Sequence, residues 1–518
     1  MALNMNIMII EGKNLAQENG GLALSYQQAV ESGQTINISP SQVTDWIYEL
    51  RGTTYLEMCE QVIVLKQQMR KSNNYKEIKS KIDEMLFIDE VVRVRFSRQA
   101  DFKKYGKGFT LNGEKYVFIL NKGDETITYI KEDLFESINA RIEGNRCADY
   151  KLVPAKLNAY RSLSMSTSKA VSDCDKLIVV KDCNKTLSNM EYLFVNASQM
   201  EVEHRVENVV RNINDGYGFI SPRLASVWSK DLGHENIDSA FQVRNLYTKG
   251  ILATFDFQQF ATDLNTFEVV DYWGTVRDIR DADIILSESM LKLAGAYSSC
   301  EEWLSAVKEH GYNWRVAKTS KKQKYGYTNY QQILPMSLDE EDCKELLSDS
   351  IQMLKDIHGG DWLATTLYLN GDGASNDNLG DYNLAKLIQL EPELVNDYFI
   401  NQKIQANTRK TKKELLTGRT LINSSFQIIV GDVIAFAQHI LGLEPIGFLD
   451  EKEIYSAYHR KNGITEATAF RAPLLCENSI VKVKLNQSSD YDKYLTYLDD
   501  IYVTSSCDLL NESLCGLI

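Results

Sequence analysis

Short apolar runs separated by glycine turns, between residues 200 and 295, constrain the fold of this 518-residue chain more than any other feature. Asp215-Gly-Tyr-Gly218 stands before one apolar run, and Lys249-Gly250 stands before another. Glycine adopts positive φ without steric cost and lets a second backbone approach closely, which the tight turns of a small β structure require. The pattern therefore predicts a compact β-barrel over residues 200–295.

Apolar spacing elsewhere divides the chain into four further segments. Residues 1–88 carry helical spacing, and a period of two with an Asn112-Gly113 turn predicts a small β unit with linking helices over residues 89–175. Longer helical runs occupy residues 296–445, and alternating β-branched residues return in residues 446–518. We therefore predict the α+β fold class, with a helical connector between two β regions.

The composition argues against several classes of protein. With 44% hydrophobic residues the chain can bury large cores, yet it has no apolar run of about 18 to 20 residues, so no membrane span is predicted. The first residues do not resemble a secretory signal, which indicates the cytoplasm. The nine cysteines never form a C-x-x-C pair and the six histidines are dispersed, so we predict reduced thiols and no zinc site.

The net charge and the surroundings of the serines argue against two further classes of protein. A net charge of −14 argues against a protein that coats nucleic acid non-specifically, although local basic clusters can still line a channel. Ser287-Glu-Ser289 has neither a G-x-S-x-G elbow nor a paired histidine, so the sequence does not predict a serine hydrolase. The alternating basic residues between Arg93 and Lys107 are typical of a solvated β face.

A series of motifs in a fixed order resembles the two-double-psi-barrel RNA polymerases. The series consists of Asp215-Gly-Tyr-Gly218, residues 239–244, Lys249-Gly250, residues 284–292 and Phe470-Arg-Ala-Pro-Leu-Leu475. It is similar both to the cellular RNA-silencing polymerases and to the single-chain polymerases of phages and prophages. The resemblance implies a double-psi β-barrel over residues 176–295 and the start of a second, incomplete barrel over residues 446–518.

The resemblance also implies a metal site that the sequence does not contain. In such polymerases a glycine-rich aspartate loop follows the second-barrel motif, and its carboxylates hold the Mg²⁺ that nucleotidyl transfer needs. No D-x-D-x-D pattern occurs before Ile518, and Asn370-Gly-Asp-Gly-Ala-Ser-Asn-Asp377 is interpreted as a turn rather than a metal site. We therefore expect no catalytic residue and no metal ligand in this chain, and an aspartate loop after Ile518. The expected consequence is a chain that is inactive without a C-terminal continuation or a second polypeptide, and a truncated reading frame is the simplest explanation.

Four cationic residues are candidates for phosphate or nucleotide binding. By resemblance, Lys249 contacts phosphate or the RNA end, and Lys292 has the same possible role. The guanidinium of Arg244 has the geometry to bind phosphate in a bidentate manner, and a buried ion pair is an equally good interpretation. The resemblance places Arg471 near the sugar of the incoming nucleotide.

Five residues are predicted to shape these sites rather than to bind a ligand. Asp215 is expected to fix a turn through hydrogen bonds to neighbouring amides, with Gly216 and Gly218 at positive φ. Gly250 leaves room for a ligand beside the backbone, and Pro473 stiffens the chain next to the second-barrel arginine.

Two basic clusters are candidates for nucleic-acid contact. One includes tyrosines, whose rings stack on bases, and comprises Lys318, Lys321, Lys322, Lys324, Tyr325 and Tyr327. The other is the basic run in residues 409–419. A solvated surface is the alternative interpretation of both clusters.

Together, these motifs imply a nucleotidyltransferase that uses NTPs to extend RNA on a nucleic-acid template. The compact length and the motif sequences are more similar to those of the phage-type polymerases, which transcribe DNA, so they favour a DNA template. One alternative is an RNA-dependent RNA polymerase of the silencing type. Another is a non-catalytic nucleic-acid-binding scaffold that has kept the barrels.

Overall fold

The computed structural model describes residues 3–15, 26–121, 126–320, 326–328, 330–370, 379–471, 474 and 480–507. It mixes helices with several sheets, which confirms the α+β class. The chain forms two compact units. Unit 1 comprises Met1–Asp182 and Asp215–Thr319, and unit 2 comprises Cys183–Asn214 and Ser320–Ile518.

The helices and strands are numbered here in chain order. The strands are β1 (Met5–Glu11), β2 (Thr35–Ile38), β3 (Phe87–Arg95), β4 (Gly108–Leu111), β5 (Glu114–Asn121), β6 (Thr126–Lys131), β7 (Lys169–Ala170), β8 (Leu177–Val180), β9 (Asn184–Asn196), β10 (Glu201–Asn212), β11 (Tyr217–Ile220), β12 (Ala240–Asn245), β13 (Thr248–Thr254), β14 (Glu268–Val270), β15 (Val276–Asp278), β16 (Ile284–Ser287), β17 (Arg315–Thr319), β18 (Gly326–Tyr327), β19 (Leu421–Ile422), β20 (Ile428–Val430), β21 (Glu453–Tyr455), β22 (Glu466–Phe470), β23 (Ile480–Leu485) and β24 (Ile501–Thr504). The helices are α1 (Gly12–Leu15), α2 (Tyr26–Glu31), α3 (Gln42–Leu50), α4 (Tyr55–Met69), α5 (Tyr75–Leu86), α6 (Gln99–Tyr105), α7 (Glu132–Glu143), α8 (Pro154–Arg161), α9 (Pro222–Asp231), α10 (Phe257–Asp263), α11 (Cys300–Glu309), α12 (Tyr330–Ile333), α13 (Glu340–His358), α14 (Trp362–Asn370), α15 (Leu379–Leu390), α16 (Tyr398–Leu415), α17 (Val433–Ile440), α18 (Ala457–Lys461) and α19 (Asp492–Leu495).

The first sheet of unit 1 has the strand order β2-β1-β3-β6-β5-β4. The predicted β unit supplies β3 to β6, while α3, α4 and α5 form the predicted N-terminal helices. The N-terminal region is not helical throughout, because β1 pairs in parallel with β3 and antiparallel with β2. The partner of β1 lies about 80 residues further along the chain, so local spacing did not reveal the strand.

The second sheet of unit 1 has the order β7-β17-β12-β13-β11-β16-β8 and contains the glycine-rich motifs. Phe241 on β12 shares one hydrophobic core with two buried helical side chains, Trp228 on α9 and Trp303 on α11. Strands β11 and β13 pair in parallel, as do β16 and β8, whereas β12 pairs antiparallel with β13 and β17. Closure into a double-psi barrel remains a prediction.

Two glycines of the motifs are required by close backbone contacts. A Cβ atom on Gly218 would lie 2.1 Å from the carbonyl oxygen of Ile285, and one on Gly250 would lie 2.5 Å from the carbonyl oxygen of Gly216. Real side chains do not tolerate such distances, so any larger residue would push the strands apart. Gly218 does not adopt the predicted positive φ, whereas Gly216 does, at +76°. The small size of Gly218, rather than its backbone freedom, is what this position needs.

Unit 2 contains a long hairpin, a helical cluster and a five-stranded sheet. Strands β9 and β10 pair only with each other among the described strands, in an antiparallel hairpin. Helices α13 to α16 share a buried apolar cluster that includes Ile357, Leu369, Ile388 and Ile400. The sheet has the order β20-β24-β21-β23-β22 and begins at Ile428, before the predicted boundary at residue 446.

A buried carboxylate braces α17, the helix that follows the first strand of this sheet. Asp432 is fully buried and caps α17, where it accepts hydrogen bonds from the amides of Ile434 and Ala435 at 3.0 Å. Its other oxygen accepts from the amides of Phe448 at 2.9 Å and Leu449 at 3.3 Å. A single side chain therefore satisfies amides from two segments of unit 2.

Replacing Asp432 with alanine is expected to lower the free energy of unfolding of unit 2 by about 3 kcal/mol or more, because several buried amides lose their acceptor. Asp432→Asn is also expected to destabilise, since its amide group would point a donor at amide donors. Burial raises the pKa of Asp432 to about 6. The folded state thus holds a proton that the unfolded state has lost, so the aspartate's contribution to stability falls as the pH rises from about 4 to 6.

Denaturant unfolding of the wild type and Asp432→Asn across this pH range checks the prediction. The difference in unfolding free energy between the two proteins should change with pH, because asparagine does not titrate. Equal stability of the wild type and Asp432→Ala would contradict the proposed brace.

Candidate phosphate-binding site

Three predicted phosphate ligands lie together in unit 1. Arg244 on β12 stands directly opposite Lys249 on β13, so both side chains share one face of the sheet. The turn after β16 brings Lys292 to the same place, because the amide of Lys249 donates to the carbonyl of Met290 and the amide of Lys292 donates to the carbonyl of Tyr247, each at 3.0 Å. We call Arg244, Lys249 and Lys292 the cation cluster.

The cation cluster carries positive charge that no carboxylate neutralises within the described parts of the chain. Burial lowers the pKa of Lys249, and the charges of Arg244 and Lys292 lower it further. Burial also lowers the pKa of Arg244. The guanidinium of Arg244 donates to the carbonyl of Val243 at 2.7 Å, while its buried Nε atom has no hydrogen-bond partner. The ion pair considered for Arg244 is thus not formed among the described residues.

A serine and an aspartate hold the turns around the cation cluster. The hydroxyl of Ser289 accepts a hydrogen bond from the amide of Gly216 at 2.8 Å and donates to Asp182 at 2.9 Å. The amide of Ser289 also donates to Asp182, at 3.1 Å. The amide of Ile251 donates to the carbonyl of Gly216 at 2.9 Å, which ties this turn to the strand of Lys249.

Sequence reasoning assigned this bracing role to Asp215 and missed Asp182 and Ser289. Asp215 is exposed, and its side chain has no hydrogen-bond partner among the residues that the structure describes. Ser289 was considered only as a hydrolase nucleophile. Its partner Asp182 lies 107 residues earlier in the sequence, so no local pattern links the two.

Replacing Ser289 with alanine is expected to lower the free energy of unfolding of unit 1 by about 1 to 3 kcal/mol, because the Gly216 amide and Asp182 each lose a partner. Ser289→Thr keeps the hydroxyl and is expected to retain most of the stability. Urea denaturation of the two variants measures the difference. Ser287→Ala, which removes the neighbouring hydroxyl 3.1 Å away, serves as the matched control. An alanine variant at 289 as stable as the wild type would show that the bracing is unimportant.

The other predicted site residues lie elsewhere or outside the described residues. Arg471 is exposed in unit 2 directly after β22, and Lys318 is exposed on β17 in unit 1. Tyr327 is on β18 in unit 2 and is 43% exposed. The residues outside the description are Pro473, Lys321, Lys322, Lys324 and Tyr325.

The described residues do not form a metal site. No group of three or more aspartate, glutamate, histidine or cysteine side chains in them is placed to share an ion. Most of the acidic turn predicted after Asn370, residues 371–377, lies outside the description. The donor set therefore does not fit the Mg²⁺ that the resemblance implies, and we assign no ligand to it.

Within the described ranges, no helix is both long and apolar enough to span a bilayer.

The sheet and the turn after β16 bring together two lysines and an arginine that form no ion pair with a carboxylate among the described residues, an arrangement suited to a phosphate-bearing ligand. The chain belongs to the RNA dependent RNA polymerase family, whose model matches residues 61–475. This confirms the resemblance of the ordered motifs to RNA polymerases.

Two relatives show how far the similarity extends. The chain is 24% identical over 405 residues to the DNA-directed RNA polymerase YonO of Bacillus phage SPbeta, and the match covers 75% of this chain and 46% of YonO. The solved structure of the RNA dependent RNA polymerase QDE-1 from Thielavia terrestris matches with a TM-score of 0.50 at 14% identity, over 82% of this chain and 47% of that one. At this identity, the match to QDE-1 shows a similar fold and nothing further. The chain spans about half the length of each of these relatives.

Proposed function

We propose that this chain supplies the phosphate-binding part of a template-directed RNA polymerase, which transfers nucleotides from NTPs to the 3′ end of RNA. The observation that carries the proposal is the cation cluster, three cations fixed on one sheet without a neutralising carboxylate among the described residues. Clustering like charges is unfavourable unless an anion binds there. Because the chain belongs to the polymerase family, the expected anion is the triphosphate of an NTP or a phosphate near the RNA 3′ end.

Each cation has a distinct task in this proposal. Lys249 and Lys292 contribute compact charges that neutralise phosphate, and Arg244 contributes a planar donor group. Gly250 packs against the carbonyl of Gly216 and the side chain of Met290, and these contacts hold the strand that carries Lys249 in place. Arg471, in unit 2, is proposed to bind the sugar of the incoming nucleotide.

The chemical step requires a divalent metal, which activates the attacking 3′ hydroxyl and stabilises the leaving pyrophosphate. Because the described residues contain no suitable carboxylate group, we propose that the ligands come from a partner polypeptide or another segment. The residues of this chain bind and orient the phosphates.

We propose a DNA template, because the phage relative YonO is a DNA-directed RNA polymerase. An RNA template is the second candidate, which the family name favours.

Affinity labelling of the full chain tests the site without requiring catalysis. RNA oxidised with periodate carries a 3′ dialdehyde, which forms an imine with a nearby lysine that borohydride then reduces to a stable amine. The expected labelled residues are Lys249 and Lys292, identified by mass spectrometry and protected by added NTP. Labelling spread over surface lysines, with no protection by NTP, would overturn the site.

Primer extension with Mg²⁺ and NTPs then tests the reaction. The chain alone is compared with a version that includes any coding sequence continuing past Ile518, on DNA and on RNA templates. The template on which the primer is extended, DNA or RNA, is the one that the enzyme copies. Specific labelling without extension in either version would favour the scaffold alternative, in which the chain binds nucleic acid but does not catalyse.

A further inference from the structure

Tyr327 of the first basic cluster meets Arg419 of the second in unit 2, although the two residues are about 90 positions apart in the sequence. Strand β18 pairs with β19, with Tyr327 opposite Leu421. This pairing places the guanidinium of Arg419 over the ring of Tyr327, 4.9 Å from its centroid. Gly418 packs against the backbone of Tyr330, because a Cβ atom on this glycine would lie 3.4 Å from the Cα atom of Tyr330.

Buried hydrogen bonds hold this junction in one arrangement. The hydroxyl of Thr328 donates to the carbonyl of Gly418 at 2.8 Å and accepts from the amide of Thr420 at 3.0 Å. The hydroxyl of Thr420 donates to the carbonyl of Leu346 on α13 at 2.8 Å. Thr328 and Thr420 are both buried, so the surface above them is rigid rather than a loose loop.

One segment of this junction, residues 409–419, has an excess of positive charge in a chain of net charge −14. Residues 409–419 contain five cationic side chains and one carboxylate, Glu414. That carboxylate is shared between Arg419 at 3.2 Å and Lys410 at 3.9 Å. Lys413 is exposed and has no ion-pair partner among the described residues. The excess positive charge is therefore available to a ligand.

Two tyrosine rings lie in the same region and remain accessible. Tyr327 is 43% exposed and Tyr330 is 57% exposed, and the side chain of Arg419 is 48% exposed. Aromatic rings interleaved with lysine and arginine form the usual surface for single-stranded nucleic acid, since bases stack on the rings while the cations bind phosphates. A patch that recognised duplex phosphates alone would not need exposed rings.

We propose that Tyr327, Tyr330, Lys410, Lys413 and Arg419, here called the tyrosine patch, bind a single-stranded segment of nucleic acid. The inference rests on the proposed polymerase function and assigns unit 2 a contact with an unpaired strand. The cation cluster of unit 1 is a different site. The sequence predicted nucleic-acid contact for Tyr327 and for residues 409–419 separately, and the structure brings Tyr327, Tyr330 and Arg419 into one patch.

Fluorescence anisotropy with a labelled 15-nucleotide oligouridine and the full chain tests the tyrosine patch. Tyr330→Ala and Arg419→Ala are each expected to weaken binding about five- to tenfold, and Tyr330→Phe should retain affinity because it keeps the ring. Lys413→Ala should reduce the slope of log affinity against log salt by about 0.7, the value for one phosphate contact on a single strand. A blunt duplex of the same length should bind more weakly than the single strand.

Lys344→Ala is the matched control, since Lys344 is an exposed α13 lysine that pairs with Glu340. It should leave oligouridine affinity unchanged. The inference is overturned if the wild type does not bind oligouridine, if the tyrosine and arginine variants bind as tightly as the wild type, or if the duplex binds equally well. Labelling of Lys249 by oxidised RNA is scored separately, so the tyrosine patch can fail while the proposed function stands.

Discussion

In the proposed polymerase, replacing Lys249 with methionine is expected to lower the rate of RNA primer extension by about 100-fold or more. The lysine is fixed beside Arg244 and Lys292, where it can neutralise charge that develops on the transferred phosphate. A preorganised cation of this kind contributes most to the transition state, so kcat should fall more than KM rises. Single-turnover extension with saturating and limiting NTP separates the two quantities.

The same substitution is expected to stabilise the fold. The pKa of Lys249 is lowered in the folded state, so the protonated side chain destabilises the native protein at neutral pH. This cost is present below the folded-state pKa and disappears as the pH rises towards the ordinary lysine value. Lys249→Met should therefore unfold at a higher denaturant concentration than the wild type near pH 7, and the difference should shrink at alkaline pH.

A surface lysine provides the control for both measurements. Lys308 is exposed and pairs with Asp175, so Lys308→Met changes the net charge equally without touching the cation cluster. It should leave extension unchanged. If Lys249→Met extended primers as fast as the wild type, the proposed role of this lysine would be wrong. If the variant lost both extension and stability, unfolding would explain its lower activity.

Replacing Asp45 with alanine is expected to lower the free energy of unfolding of unit 1 by about 3 to 5 kcal/mol. Asp45 forms an ion pair with Arg315, whose side chain is only 2% exposed. The arginine also donates to the hydroxyl of Ser168 at 3.0 Å and to its carbonyl at 2.7 Å. Without the carboxylate, a buried guanidinium would remain uncompensated in the sheet.

A double variant distinguishes loss of the ion pair from loss of packing. Arg315→Met removes the charge and fills similar space, so combining it with Asp45→Ala should restore part of the stability that the single aspartate variant loses. Thermal and urea unfolding of the two single variants and the double variant measure the coupling. Additive losses would show that the two side chains stabilise unit 1 independently.

Much of the architecture could be predicted because it depends on neighbours in sequence. Alternation over residues 91–130 predicted the central strands of the first sheet, and the fixed order of motifs predicted the polymerase family, which the family model confirms. Gly216 adopts the predicted positive φ. The strand β1 was missed because its parallel partner is distant in the sequence.

The candidate site was predictable as a set of residue types but not as an arrangement. The motifs identified Lys249, Arg244 and Lys292 one by one, and strand register shows Arg244 and Lys249 to be opposite neighbours. The Ser289 hydroxyl, which donates to Asp182 and accepts from the amide of Gly216, joins three separate segments, and periodicity within one segment carries no information about such contacts.

Apolar spacing was thus sufficient for the α+β class, because periodicity is a local property, and the resemblance of the ordered motifs was sufficient for the polymerase family. Tertiary structure alone decided which charges remain without a partner and which rings lie beside arginine. Arg419 meets Tyr327 only because two short strands pair across about 90 residues of chain. Electrostatic and stacking interactions depend on distance in space, and the fold sets that distance.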